Sequence, residues 1–192
     1  MKKGSYSLEE YLELLTSFHG SLAPGLVIGG FMVELARKSL PKEVLFNAIC
    51  ETPKCLPDAI QLLTPCTIGN GWLVVLPLGR FAIALYDKDS GTGVRVYVDS
   101  KKLEKYQEIK GWYYKVKPKR EQNFPLLIAQ IKKAGGEVLS PQHIRVQPEM
   151  LKRKIMGPVA ACPRCGECYP VRDGDSCRAC QGASPYLEVR TT

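Results

Sequence analysis

Four cysteines near the end of the chain carry the clearest chemistry. Cys162-Pro163-Arg164-Cys165 and Cys177-Arg178-Ala179-Cys180 are two C-x-x-C pairs separated by 11 residues. Each pair offers two thiolates from one short loop, and two such loops can aim four sulfurs at one tetrahedral centre, the arrangement of a closed structural zinc site. Gly166 follows the first pair and lets the backbone turn beneath the metal. A [4Fe-4S] cluster or a redox dithiol would draw on the same residues, but the compact cysteine run of bacterial ferredoxins is missing. Cys168 is a fifth thiol, which a centre closed by four ligands leaves as a spectator. Tyr169, Val171, Tyr186, Leu187 and Val189 are expected to cover the site and pair as short strands, with zinc supplying much of the folding energy.

A second constellation lies earlier. His19, Cys55 and Cys66 each fall in an expected loop or at the edge of an element. Singly, such residues are more often structural. Together, one imidazole and two thiols suit zinc and would leave a fourth coordination position open, as catalytic centres do. Cys55 stands just before Pro57, at an expected helix start whose positive end favours a thiolate. Asp58, in the same first turn, could orient His19 or act as a base. Cys50 is an alternative ligand, although its place at the end of an apolar strand points to core packing. Gln61 lies one turn after Asp58. Thr67 and Asn70 could shape the same cleft or simply close their own turn.

The elements that must position these residues can be read from periodicity. Ser7-Leu8-Glu9-Glu10 is a capping box, and Leu8, Tyr11, Leu12 and Leu15 repeat at helical spacing to about Ser17 or Phe18. A Gly/Pro-rich connection leads to a second helix over Leu26 to Leu40. Its Gly29 and Gly30 cost about 1 kcal/mol each relative to Ala and call for a close contact. Strands are expected over Val44 to Ile49, Trp72 to Leu78, Phe81 to Tyr86 and Val94 to Val98, with Gly79-Arg80 as a hairpin turn. A short helix from Pro57 to Leu63, a surface helix within Ser100 to Lys110, a helix from Pro125 to Lys133 and a strand near Val138 to Val146 complete the pattern. This mixed order predicts an α+β fold with an antiparallel-rich sheet: a domain over 1–157 and a small zinc-ribbon-like module over 158–192.

Bulk properties narrow the function classes. The chain has 192 residues, 45% of them hydrophobic, enough for one substantial core and a small appendix. No apolar run approaches the roughly 20 residues of a membrane span, and no signal-peptide hydrophobic region follows the start, so a cytoplasmic protein is expected. C-x-x-C pairs in a reducing compartment favour metal over disulfides. The formal charge is +8, falling to about +6 with four thiolates on one Zn²⁺. Lys115, Lys117, Lys119 and Arg120 form one basic cluster beside Trp112, Tyr113 and Tyr114, and Lys152, Arg153 and Lys154 form another. Either could meet an acidic partner or, less favourably, nucleic acid, since no nucleic-acid motif accompanies them.

Phe18-His19-Gly20 with Pro24-Gly25, Glu51 to Gln61 and Thr64-Pro65-Cys66-Thr67-Ile68-Gly69-Asn70 form a pattern that resembles the formylmethanofuran dehydrogenase E-subunit family. Phe81 to Val98, including Arg95, is similar as well, and the likeness covers roughly residues 10 to 100. The appended four-cysteine segment matches longer members. The resemblance implies an α+β domain with a metal-binding cleft at His19, Cys55 and Cys66, and an accessory role beside molybdenum or tungsten dehydrogenases that reduce carbon dioxide onto methanofuran or run the reverse reaction. It also implies homodimers. Ser21 and Ala23 stand where the family commonly has a further histidine and cysteine, which weakens the inferred metal site. The first expectation is therefore a zinc-binding accessory or regulatory protein with a second metal or small-ligand site. The alternatives are a metal-dependent enzyme using Asp58 for proton transfer and a nucleic-acid-binding zinc protein.

Overall fold

A computed structural model describes residues 6–41, 44–152 and 157–187. Contacts divide the chain into two compact units, Met1–Leu151 and Lys152–Thr192.

The first unit begins with α1, Leu8–His19, whose capping box is formed as its sequence predicts: Ser7 Oγ accepts from the Glu10 N–H at 3.2 Å, and Glu10 Oε2 accepts from the Ser7 N–H at 2.7 Å. Gly20, at φ 78°, ends the helix by donating to Thr16 O. Helix α2, Pro24–Lys38, follows and is buried along most of its length. Its paired glycines are packing devices. A Cβ at Gly29 would lie 2.8 Å from Ala59 Cβ, and one at Gly30 would lie 2.2 Å from the Tyr11 ring.

Strand β1, Phe46–Cys50, leads through a loop to α3, Leu56–Leu63, and then to β2, Leu73–Val75. The sheet continues with β3, Ala82–Asp87, β4, Thr92–Val98, and β5, Leu139–Arg145. Its order is β2-β1-β3-β4-β5, with β1 and β2 parallel and the other neighbours antiparallel. The Gly79-Arg80 hairpin is therefore corrected: α3 carries the chain back so that β2 joins the far side of β1, and β1 separates β2 from β3. The expected helix within Ser100 to Lys110 also divides, into a 3₁₀ turn at Lys102–Lys105 and α4, Gln107–Tyr113. Tyr106, at φ −129° and ψ 82°, breaks it. Helix α5, Phe124–Ala134, packs on α4 and α2. Pro141 stays within β5, because an edge strand has one side that needs no ladder donor.

Helices α2 and α3 cover one face of the sheet, and there the core includes Leu26, Met32, Leu56, Ile60, Leu85 and Val96. Each such side chain contributes about 1.5–3 kcal/mol through burial. Leu26→Ala would open a cavity and cost about 2–5 kcal/mol. On the opposite face Ile49, Ala84 and Tyr86 form a smaller cluster with Met150 and Leu151.

The second unit contains a two-stranded antiparallel sheet of β6, Val159–Ala161, and β7, Cys168–Pro170. Val189, Arg153 and Lys154 lie outside the described residues.

Candidate functional site

In the second unit, Cys162, Cys165, Cys177 and Cys180 present sulfurs that all lie within 4.8 Å of one another. Local backbone geometry explains the first knuckle. The Gly166 N–H donates to Cys162 O at 2.8 Å, with Gly166 at φ 78°, and the Cys162 N–H donates to Glu167 O at 2.8 Å. Arg164 ties the second knuckle in by donating to Cys180 O. The Cys165 and Cys177 sulfurs stand 3.7 Å apart. The edge of a tetrahedron with zinc–sulfur bonds of about 2.3 Å is about 3.8 Å, so the donor set fits one zinc ion. An iron–sulfur cubane would hold its four thiolates farther apart than a single ion does.

Electrostatics agree with a metal requirement. The N–H of Cys177, donating at 3.4 Å, leads the groups that hold the Cys162 thiol down to about 6. Hydrogen bonding with Cys177 and Cys165 pushes Cys180 up to about 12. Four sulfurs this close cannot all ionise without a cation among them. Tyr169 is buried as expected, but Tyr186 and Leu187 stand exposed, so the proposed aromatic and aliphatic lid is smaller than the sequence suggested. Cys168 is exposed at the start of β7.

In the first unit, the end of α1 meets the start of α3. His19 is the last residue of α1, and its Nδ1 lies 2.7 Å from Asp58 Oδ2 in the first turn of α3. The polarity of the two helix ends suits this pair: a C-terminus favours a positive group and an N-terminus a negative one. Cys55 stands at the N-cap of α3 with φ 60° and ψ −55°. The Leu56 N–H donates to Lys54 O at 2.7 Å across it, closing a γ-turn of the strained, positive-φ kind. Cys55 is half-buried, and burial, followed by the nearby Asp58 charge, pushes its thiol up, against the pull of Lys54.

Gly25 makes room for that thiol. A Cβ there would lie 3.0 Å from Cys55 Sγ and 3.3 Å from Phe81 Cζ. Phe81 in turn packs edge-on against Trp112 and Tyr113 of α4, with ring centroids 6.4 and 6.1 Å away. An aromatic cluster that the sequence does not announce therefore lies beside Gly25, next to Cys55. The Trp112-Tyr113-Tyr114 run was visible, but its meeting with Phe81 depends on non-local packing.

The structure does not assemble the expected centre from His19, Cys55 and Cys66. Cys66 is fully buried beyond the other end of α3, its Sγ donating to Phe46 O at 3.4 Å. The eight residues of α3 put about 12 Å of helix between the two cysteine ends. Among the described residues, the C-terminal four cysteines form the group able to hold a metal. Cys50 is also buried, donates to Thr52 O at 3.0 Å and is pushed up to about 11 by burial. Gln61 Oε1 accepts from the Ile68 N–H, and Thr67 and Asn70 bond reciprocally, so these residues shape the loop after α3.

A buried carboxylate anchors the strand end from which the Cys55 loop departs. Glu51, 5% exposed, accepts from Arg95 Nε and Nη2 at 2.7 and 2.8 Å and pairs with Arg80 at 2.7 Å. Arg95 leads the interactions that hold the Glu51 carboxyl below its usual range, against the opposing effect of burial.

Comparison with known proteins agrees with this architecture. Residues 18–144 match the family model described as FmdE, molybdenum formylmethanofuran dehydrogenase operon, and residues 153–187 match the FmdE treble clef zinc finger. The chain is similar to the crystal structure of a tungsten formylmethanofuran dehydrogenase FmdE-like protein from Syntrophus aciditrophicus. The two share 52% identity and a TM-score of 0.87 over 95% of this chain and 96% of that one. It is also 29% identical over 191 residues to a probable S-adenosyl-L-methionine-binding protein from Archaeoglobus fulgidus, covering 86% of this chain and 51% of that protein. The chain therefore spans about half the length of this curated relative.

Proposed function

The chain belongs to the FmdE family of the molybdenum formylmethanofuran dehydrogenase operon, and from that footing we propose that it is an accessory or regulatory protein of a molybdenum- or tungsten-dependent dehydrogenase. In this reading the first unit holds a small molecule at His19, Asp58 and Cys55, and the zinc finger offers a rigid docking surface for a protein partner. The carrying observation is the 2.7 Å His19–Asp58 bond at the start of α3, beside a strained, half-buried Cys55. A proton-bearing pair, a soft thiol and the Phe81, Trp112 and Tyr113 rings together suit a compact ligand with an unsaturated or aromatic portion. With Cys66 remote, His19 and Cys55 lack the third soft ligand of a zinc centre, which favours the small molecule over a second metal. The reading includes a reducing, cytoplasmic setting, the one in which two C-x-x-C pairs favour metal over disulfides, and a homodimer as the working unit.

Native mass spectrometry of the full chain purified from its host tests the site. The expected species carries one zinc and a small-molecule adduct that His19→Ala and Cys55→Ser remove. A zinc-only mass, identical apart from the substitutions in the variants, would contradict the ligand site. Co-purification of dehydrogenase subunits with the tagged chain supports the accessory role, and their absence together with unchanged dehydrogenase activity in a deletion strain overturns it.

A further inference from the structure

The connection from α4 to α5 lies at the surface of the first unit and carries large apolar side chains. Over residues 114–126 every position except Gln122 is exposed. Val116 is 69% exposed, and Tyr114, Phe124 and Leu126 are 49, 40 and 49% exposed. Local hydrogen bonds hold the stretch in one shape. Gln122 Nε2 donates to Lys117 O at 3.0 Å, and the Glu121 N–H donates to Pro118 O at 2.9 Å. Asn123 Oδ1 accepts from the Leu126 N–H at 3.1 Å and so caps α5.

The end of α4 shows how this exposure arises. The Lys115 N–H donates to Trp112 O at 3.2 Å and the Val116 N–H to Gly111 O at 2.9 Å, with Lys115 at φ 54°. These are the bonds of a Schellman motif, in which the left-handed residue is usually glycine and the next residue frequently packs against the third-last residue of the helix. Here a lysine takes the left-handed position, and the third-last residue is Gly111, which offers Val116 no side chain to pack on. Charge adds to the apolar surface: residues 115–121 contain three lysines and an arginine against one glutamate, and that glutamate pairs with Arg120 at 3.6 Å. Two copies of this surface facing each other would set like charges together, whereas an acidic partner complements them. Aliphatic Val116 and Leu126 give nucleic-acid bases no ring to stack on, but apolar side chains of a protein can cover them.

We propose that this connection is a docking surface for an acidic segment of a partner protein that carries apolar side chains along one helical face. Carboxylates of the partner meet the basic cluster, and its apolar face covers Val116 and Leu126. The probe is a fluorescently labelled peptide of about 20 residues with leucine along one helical face and glutamate elsewhere, titrated by anisotropy into the full, zinc-loaded chain. One peptide should bind per chain, about 10-fold or more tightly than polyglutamate of equal length, and salt should weaken the binding without abolishing it. Val116→Ser with Leu126→Ser should weaken the leucine peptide by about 10-fold and leave polyglutamate unchanged. Lys117→Gln with Lys119→Gln should weaken both peptides and flatten the salt dependence. Lys115→Gly should raise the melting temperature while weakening the peptide, a pair of effects that a purely structural lysine would not give. Absence of binding by the leucine peptide overturns the proposal, as does affinity that Val116→Ser with Leu126→Ser leaves intact. Tighter binding of single-stranded DNA of similar length, lost in Lys117→Gln with Lys119→Gln, would overturn it in favour of nucleic acid. A dimer that Val116→Ser with Leu126→Ser dissociates in sedimentation would overturn it in favour of a second copy of the chain.

Discussion

The C-terminal unit and the junction of α1 with α3 both present soft ligand atoms, but they bring them together by different means. In the first, each sulfur pair comes from one loop, and the four sulfurs converge to within 4.8 Å of one another inside a single compact unit. In the second, His19, Asp58 and Cys55 come from a helix end, a helix start and a strained turn, and their meeting depends on α1, α2 and α3 packing together. Spacing dictates a site when the ligands are local. Residue type alone does not when the core must assemble them, and Cys66 shows how such a reading fails.

That contrast can be broken most forcefully at the metal. Cys162→Ser should release the zinc and unfold the second unit, because structural zinc in small fingers is worth about 10–16 kcal/mol of folding energy. Hydrogen exchange should show lost protection confined to Lys152–Thr192 while Met1–Leu151 stays protected. Loss across both units would deny that they are energetically separate.

Glu51→Ala tests the first unit's own anchor. It leaves Arg95 facing an empty place, 15% exposed in its side chain, and should cost about 3–5 kcal/mol by chemical denaturation. The acid dependence has a definite sign. Because the folded carboxyl is held below its unfolded value of about 4.3, its contribution is fully present above that pH and is lost as pH falls through the lower folded value. Glu51→Gln should flatten that acid limb, and an unchanged limb would assign it to other carboxylates.

Gly30→Ala should cost about 1–3 kcal/mol, since its Cβ would lie within the Tyr11 ring's van der Waals envelope and one helix must move. A neutral or stabilising result would mean that α1 slides easily over α2. The smallest stability change belongs to His19→Ala, about 1 kcal/mol or less, because the pair is about one-third exposed. Its functional effect should nevertheless exceed that of Cys66→Ala: the small-molecule adduct is lost in the first and kept in the second. The reverse pattern would restore Cys66 to the site.

The sequence made some of this legible for physical reasons. The Ser7 capping box, the helix of α3 and the four zinc ligands are encoded within a few residues of themselves, so each could be read locally. The position of β2 beside β1 could not, because Gly79-Arg80 fits a hairpin until α3 is seen to return the chain. Phe81 as a wall beside Cys55 required the approach of α2 and α4, and the γ-turn at Cys55 has no side-chain signature. Gly29 and Gly30 announced a close approach without saying to what; Ala59 and Tyr11 supply the answer.

Zinc content per chain, measured by elemental analysis on protein purified without added metal, tests the central contrast most directly when the parent is compared with a Cys162→Ser/Cys177→Ser double variant. One zinc in the parent and none in the variant is the predicted result. Two in the parent, or one that survives loss of both cysteines, would contradict the account by placing a zinc centre in the first unit.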